Sequence, residues 1–208
     1  MAYVCGGPAT AVSLGGDVMR NLMKLLMVLA LVAGTTLASG PANSATSNAA
    51  YSWHVADALL EDVAGSPPYA IAEADNGDQI WLDGTGVLDG DAKTASGGGT
   101  FIHKLPDGST FATGTWTADG LVSLQFYGCE DVGLPVLLCG GLAKLDVAIH
   151  PAGTSLALPA TLRVDCLIGD IPAGGEPARH EGVKLNVKDF LNFNHTVPSG
   201  FTVFIPAD

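Results

Sequence analysis

Two histidines carry most of the chemistry that this sequence offers. His103 lies in Thr100–Leu105 and His195 in Asn192–Val197, two segments in which apolar and polar residues alternate. Neighbouring side chains of an extended strand point to opposite faces. His103 therefore shares a face with Phe101 and Leu105, and His195 with Leu191, Phe193 and Val197. Two imidazoles looking into one apolar interior could hold the polar group of a ligand, or act as acid and base near neutral pH. The plainer alternative is that each ends a strand or makes a single core hydrogen bond. Trp116 is the third candidate. Its face carries only Ala112, Gly114 and Ala118, and small residues around an indole can line a pocket or admit a second sheet. His103, His195, Trp116, Phe101 and Phe193 form the expected ligand-binding set.

Other chemistries fit less well. Asp75, Asp78, Asp83, Asp89 and Asp91 invite calcium, but a loop starting at Asp89 places Lys93 where an oxygen ligand is needed. Turn formation explains the same Asp-Gly and Asn-Gly pairs. His180-Glu181-Gly182-Val183-Lys184 opens like a zinc-protease helix and then has Lys184 in place of the second histidine. The sequence has neither a nucleophile-elbow serine motif nor a zinc-type Cys-x-x-Cys. Gly97-Gly98-Gly99-Thr100 lacks the lysine of a phosphate loop, and Asn194-His195-Thr196 is a glycosylation sequon. Nothing calls for a cofactor or a metal. Arg163 and Asp165 share a face opposite Leu162, Val164 and Cys166, as a surface ion pair would.

The elements that must position these residues read as strands. Gly and Asp-Gly punctuation recurs about every ten residues between alternating segments. Tyr69–Ala74, Gln79–Leu82, Thr100–Leu105, Thr110–Ala118 and Leu121–Tyr127 come first. Leu142–His150, Ala160–Ile168, Val183–Lys188, Asn192–Val197 and Phe201–Ile205 follow. Residues 83–99 and 169–182 read as surface loops, with a turn at Asp119-Gly120. Only Trp53–Val63 has helical spacing, and an opening strand fits it nearly as well. The fold class is all-β: a single antiparallel β-barrel of about 8–10 short strands, with a two-sheet β-sandwich as the alternative. A barrel would remove the exposed edges of such a sheet.

Arg20 and Lys24 precede the apolar run Leu25–Val32, and small residues follow it, in the manner of a secretory signal peptide. The run is too short for a lasting membrane anchor, which needs roughly 20 residues. Residues 1–18 read as an over-extended start, with Met19 or Met23 as initiator. Residues 19–45 read as the signal, cleaved somewhere in 38–50, and residues 51–208 as one secreted domain. Of 9 basic and 21 acidic side chains, Arg20, Lys24 and Asp17 fall in the leader, leaving 7 and 20, a formal charge of −13. Such a surface repels nucleic acid and anionic lipid. Beyond the leader stand three cysteines. Cys129 and Cys139 flank a Gly/Pro-containing segment and are the expected disulfide, with Cys166 a buried hydrophobe or a leftover thiol.

The expected function is a secreted, non-catalytic β-domain that binds a small apolar or amphipathic ligand or an extracellular protein. The alternatives are a secreted metal-independent enzyme (a cyclase, isomerase or hydrolase) in a barrel cavity, and a structural surface component.

Overall fold

The computed structural model describes residues 50–171 and 180–207. The expected leader, signal peptide and cleavage region up to residue 49, and most of the expected 169–182 loop, lie outside these residues. The elements are β1 (Ala50–Val55), α1 (Ala58–Ala64), β2 (Ala70–Glu73), β3 (Gln79–Leu82), β4 (Gly84–Asp89), β5 (Thr94–Lys104) and β6 (Thr110–Glu130). There follow β7 (Leu138–Pro151), β8 (Leu158–Cys166), β9 (Gly182–Val187), β10 (Leu191–Phe193), β11 (His195–Val197) and β12 (Thr202–Pro206).

The protein is all-β, and its 12 strands form one antiparallel sheet in the order β10-β9-β8-β7-β12-β1-β4-β5-β3-β2-β11. β6 lies off this path and pairs with both β5 and β7. Among the described residues, twelve strands exceed the expected 8–10 because β1 is a strand and because of two further regions. Residues 83–99 are not a loop: β4 and the first half of β5 form a hairpin running from Thr85↔Gly98 to Asp89↔Thr94. The 192–197 segment breaks at Asn194, where it exchanges one partner for another, β10 pairing with β9 and β11 with β2. Conversely, Asp119-Gly120 makes no turn. β6 runs straight through it, absorbing the extra residues as irregularities at Ala118/Gly120, Leu121/Ser123 and Phe126/Gly128.

The ambiguous Trp53–Val63 window divides between both readings. Alternate residues Tyr51, Trp53 and Val55 are buried on β1, and α1 then starts at Asp57, whose side chain accepts from the Leu60 amide. Gly65, in the left-handed conformation, ends the helix after seven residues. In the β5–β6 turn, the Ser109 hydroxyl and amide hold the exposed Asp107 carboxyl below its usual range. That contribution is present at neutral pH and fades as pH falls through the lowered value.

One hydrophobic core collects the inward faces of the strands, with Trp53, Trp116, Phe193 and Phe204 among its fully buried side chains. Trp53 and Trp116 stack with centroids 5.4 Å apart. The glycines that make 83–99 look like a loop are what let these indoles reach the backbone. A Cβ on Gly86 would stand 2.0 Å from the Ser96 carbonyl and 2.5 Å from the Trp53 ring. One on Gly84 would stand 2.6 Å from the Trp116 ring. Composition there reports close packing rather than freedom.

Cys129 and Cys139 form a disulfide between directly paired residues of β6 and β7. Cys166 is fully buried on β8, so it offers no accessible thiol for an intermolecular bridge. Arg163 and Asp165 do pair, at 2.8 Å, but the Asp165 side chain is only 3 % exposed. The Tyr127 hydroxyl also reaches Asp165. The expected surface pair is therefore a largely buried one, because β6 and β12 fold over that end of β8: Thr202 of β12 donates to the Asp165 carbonyl.

Gly86→Ala should lower unfolding stability by about 2–3 kcal/mol, since neither the carbonyl nor the indole it meets can yield freely. Replacing both Cys129 and Cys139 by alanine should cost ~2–3 kcal/mol by releasing a short loop. Chemical denaturation of the two variants beside the unmodified chain measures both.

Candidate functional site

The turn Asp75-Asn76-Gly77-Asp78 joins β2 to β3. The Ala74 amide donates to the Asp78 carbonyl at 2.8 Å, and the Asn76 side chain accepts from the Asp78 amide at 3.1 Å. Both aspartates of the turn meet an imidazole. Asp78 Oδ2 lies 2.8 Å from His103 Nε2, in a site where the two side chains are 10 % and 6 % exposed. Asp75 meets His195 Nε2 at 2.7 Å, with both side chains in solvent at 83 % and 60 % exposure.

His103 is thus inward, as the alternation of β5 predicts, and it is a paired core histidine. His195 is outward, contrary to expectation. The break at Asn194 interrupts the period of two, so parity counted from Phe193 does not carry across it. The two imidazoles dock on the same turn yet do not line one cavity. Phe101, Trp116 and Phe193 are buried at 3 %, 1 % and 1 % exposure, and the Trp116 indole N–H donates to the Asp83 carbonyl at 2.9 Å.

Three phenylalanines surround His103. Phe193 stands edge-on at 5.3 Å, Phe111 at 4.9 Å and Phe190 at 6.1 Å. Phe193 is core, but Phe111 and Phe190 remain 59 % and 56 % exposed. Phe111 is placed by a bulge. His103 pairs with Ala112 and Lys104 with Thr110, which leaves Phe111 without a cross-strand partner and swings its ring to the imidazole. Phe190 sits in the turn between β9 and β10, after Asp189 in the left-handed conformation. The result is an exposed aromatic pair above a buried imidazole–carboxylate pair. Bulges leave no mark on a strand pattern, so Phe111 was not legible as a site residue; a large apolar side chain in the Lys188-Asp189-Phe190 turn was the available signal for Phe190.

A second polar group lies at the start of the domain. His54 Nδ1 is 2.6 Å from Asp57 Oδ2, and Nε2 is 3.2 Å from Ser52 Oγ. This has the connectivity of a serine–histidine–aspartate relay. Asp57 also caps α1 through its other oxygen, and the Ser52 hydroxyl lies within 3.4 Å of the Ile205 carbonyl. Both edges of β1 are paired, to β12 and to β4, so its amides serve the ladder and are not available to stabilise an oxyanion, usually the largest catalytic contribution. The relay as built anchors strand to helix.

The remaining aspartates of the suspected calcium cluster are used locally. Asp83 accepts from the Thr100 amide and hydroxyl at 2.6 Å each, and Asp89 accepts from the amides of Asp91 and Ala92. In the sequon, the Asn194 Oδ1 atom is buried without a partner and the Thr196 hydroxyl donates to the Val183 carbonyl.

No family model, curated protein or solved structure matches the chain.

Removing His103 leaves Asp78 buried without its partner, and His103→Ala should cost about 2–3 kcal/mol. His195→Ala, at an exposed pair, should cost under ~0.5 kcal/mol. Comparable losses in thermal melts of the two variants would contradict this division between the two imidazoles.

Proposed function

We propose that the protein is a secreted, non-catalytic β-barrel domain that captures a small apolar or amphipathic ligand. The barrel part rests on the pairing pattern. The run β7-β12-β1-β4-β5 has its two ends bridged by β6, which pairs with both, and such a return to the starting strand is how a sheet removes its edges. Secretion rests on the signal-like leader together with a disulfide, which persists in an oxidising compartment. Among the described residues no helix is long and apolar enough to cross a membrane.

The observation that carries the binding reading is the exposed pair Phe111 and Phe190 over His103 and Asp78. Four large aromatics packed through the core argue against an interior cavity there, and move the site outward to this pair. Each ring, a little over half exposed, would contribute about 1–1.5 kcal/mol when covered by a ligand. The imidazole beneath, held by Asp78, gives the two rings a fixed floor to lean on.

The test is titration of the full chain with a neutral fluorescent amphiphile, N-phenyl-1-naphthylamine. Enhancement should saturate, and the double variant Phe111→Ser, Phe190→Ser should weaken binding about tenfold or more while melting normally. Absence of enhancement, or equal binding by the double variant, removes the proposal.

A further inference from the structure

The face of the sheet opposite His103 carries an independent arrangement. Register lines up two neighbouring rows across β2, β3 and β5. One row is apolar, Ile71↔Trp81↔Ile102. The next is polar, Glu73↔Gln79↔Lys104, and it reaches Thr110 on β6. All of these side chains are partly or fully open to solvent. The turns of the β2–β3 and β5–β6 hairpins abut at the end of the rows, where a Cβ on Gly77 would touch Pro106 at 3.4 Å. Trp81, the polar row and the two turns together line an open trough of about 470 Å³, formed chiefly by Trp81, Gln79, Glu73, Lys104 and Pro106.

The polar groups in the trough are already tied into an order. The Trp81 indole N–H donates to Gln79 Oε1 at 3.1 Å, and Gln79 Nε2 donates to Glu73 Oε2 at 2.9 Å. That chain fixes the indole and the amide plane while leaving the second carboxylate oxygen of Glu73 to accept. Lys104 donates to Thr110 Oγ1 at 2.8 Å, which leaves two ammonium hydrogens to give. Its nitrogen stands 5.6 Å from the Trp81 ring centre, near the outer limit of a useful cation–π contact, so little is lost if a ligand intervenes. Tyr69 adds a second ring 5.9 Å from Trp81.

We propose that this trough binds a neutral saccharide. A pyranose has an apolar C–H face that suits an indole, and hydroxyls that both donate and accept, as Glu73 and Lys104 require. The volume falls within the ~300–1,000 Å³ usual for small-molecule sites. Glu73 and Lys104 balance each other in charge, while the chain as a whole carries −12. An anionic sugar or a nucleotide would meet that field unfavourably. A lipid chain would have to cover polar groups that it cannot satisfy. This site shares no lining residue with the phenylalanine pair, so either proposal can fail alone.

The full chain is to be titrated with cellohexaose, laminarihexaose, mannohexaose and chitohexaose, and with a tetragalacturonate as the anionic counterpart, each to about 10 mM, in the range where weak sites are read. Binding is followed by backbone amide NMR shifts. At least one neutral oligosaccharide should move the resonances of residues 79, 81 and 104. Trp81→Ala should weaken its binding about tenfold, and Trp81→Phe, which keeps a ring and guards against misfolding, by less. Glu73→Gln should weaken it severalfold without changing the preference for neutral sugars. The proposal is overturned if no neutral oligosaccharide shifts these residues, if the galacturonate binds better, or if folded Trp81→Phe and Trp81→Ala bind as tightly as the parent.

Discussion

Two indoles set the terms for the rest of the structure. Trp53 comes from the first strand and Trp116 from the sixth, and their stack fills the middle of the core. To lie there each needs backbone rather than side chain beneath it, and Gly84 and Gly86 provide that backbone. The β4–β5 hairpin can then pass over the rings at close range. Close passage in turn lets β4 pair with β1 along one edge and with β5 along the other. Ordinary side chains at those positions would collide with the rings and with the facing backbone, because cores are filled to crystal-like density.

Much of this was legible in the sequence and some was not, for identifiable reasons. Most strands after residue 69 follow from alternation, since burial on one face enforces a period of two. The same logic placed Phe101, His103 and Trp116 on the inner face. It failed at residues 83–99 because glycine is ambiguous between flexibility and close approach, and only the partner across the gap decides. It failed at His195 because a strand that changes partners at Asn194 resets its parity. It failed at Asp119-Gly120 because a turn signal inside a long strand can be spent on an irregularity. It also missed the ring of phenylalanines around His103, which depends on a bulge and a tertiary meeting of β5, β6 and the β9–β10 turn.

The short turn after β2 shows how acidic composition is used. Asp75 and Asp78 each take an imidazole from a distant part of the chain, 120 and 25 residues away. Asp83 and Asp89 hold backbone amides near the ends of their own hairpin. Carboxylates that looked like a ligand cluster are distributed as individual fasteners. The surface then keeps a strong negative charge with few cations to offset it, and that disfavours anionic partners.

The disulfide has a consequence for the order in which the sheet assembles. Its cysteines are ten residues apart and lie at the hairpin end of β6 and β7, which form the longest ladder. Other seams join distant parts of the chain: Tyr51 pairs with Pro206, and His195 with Glu73. Bringing such segments together costs loop-closure entropy that the β6–β7 hairpin scarcely incurs. Among the local hairpins of the described residues it has the longest ladder and the one covalent lock, which makes it a ready place to begin. It can zip from Cys129 and Cys139 toward Gly114 and Pro151 as a local event, presenting the edges on which β5, β8 and finally the two chain ends are laid.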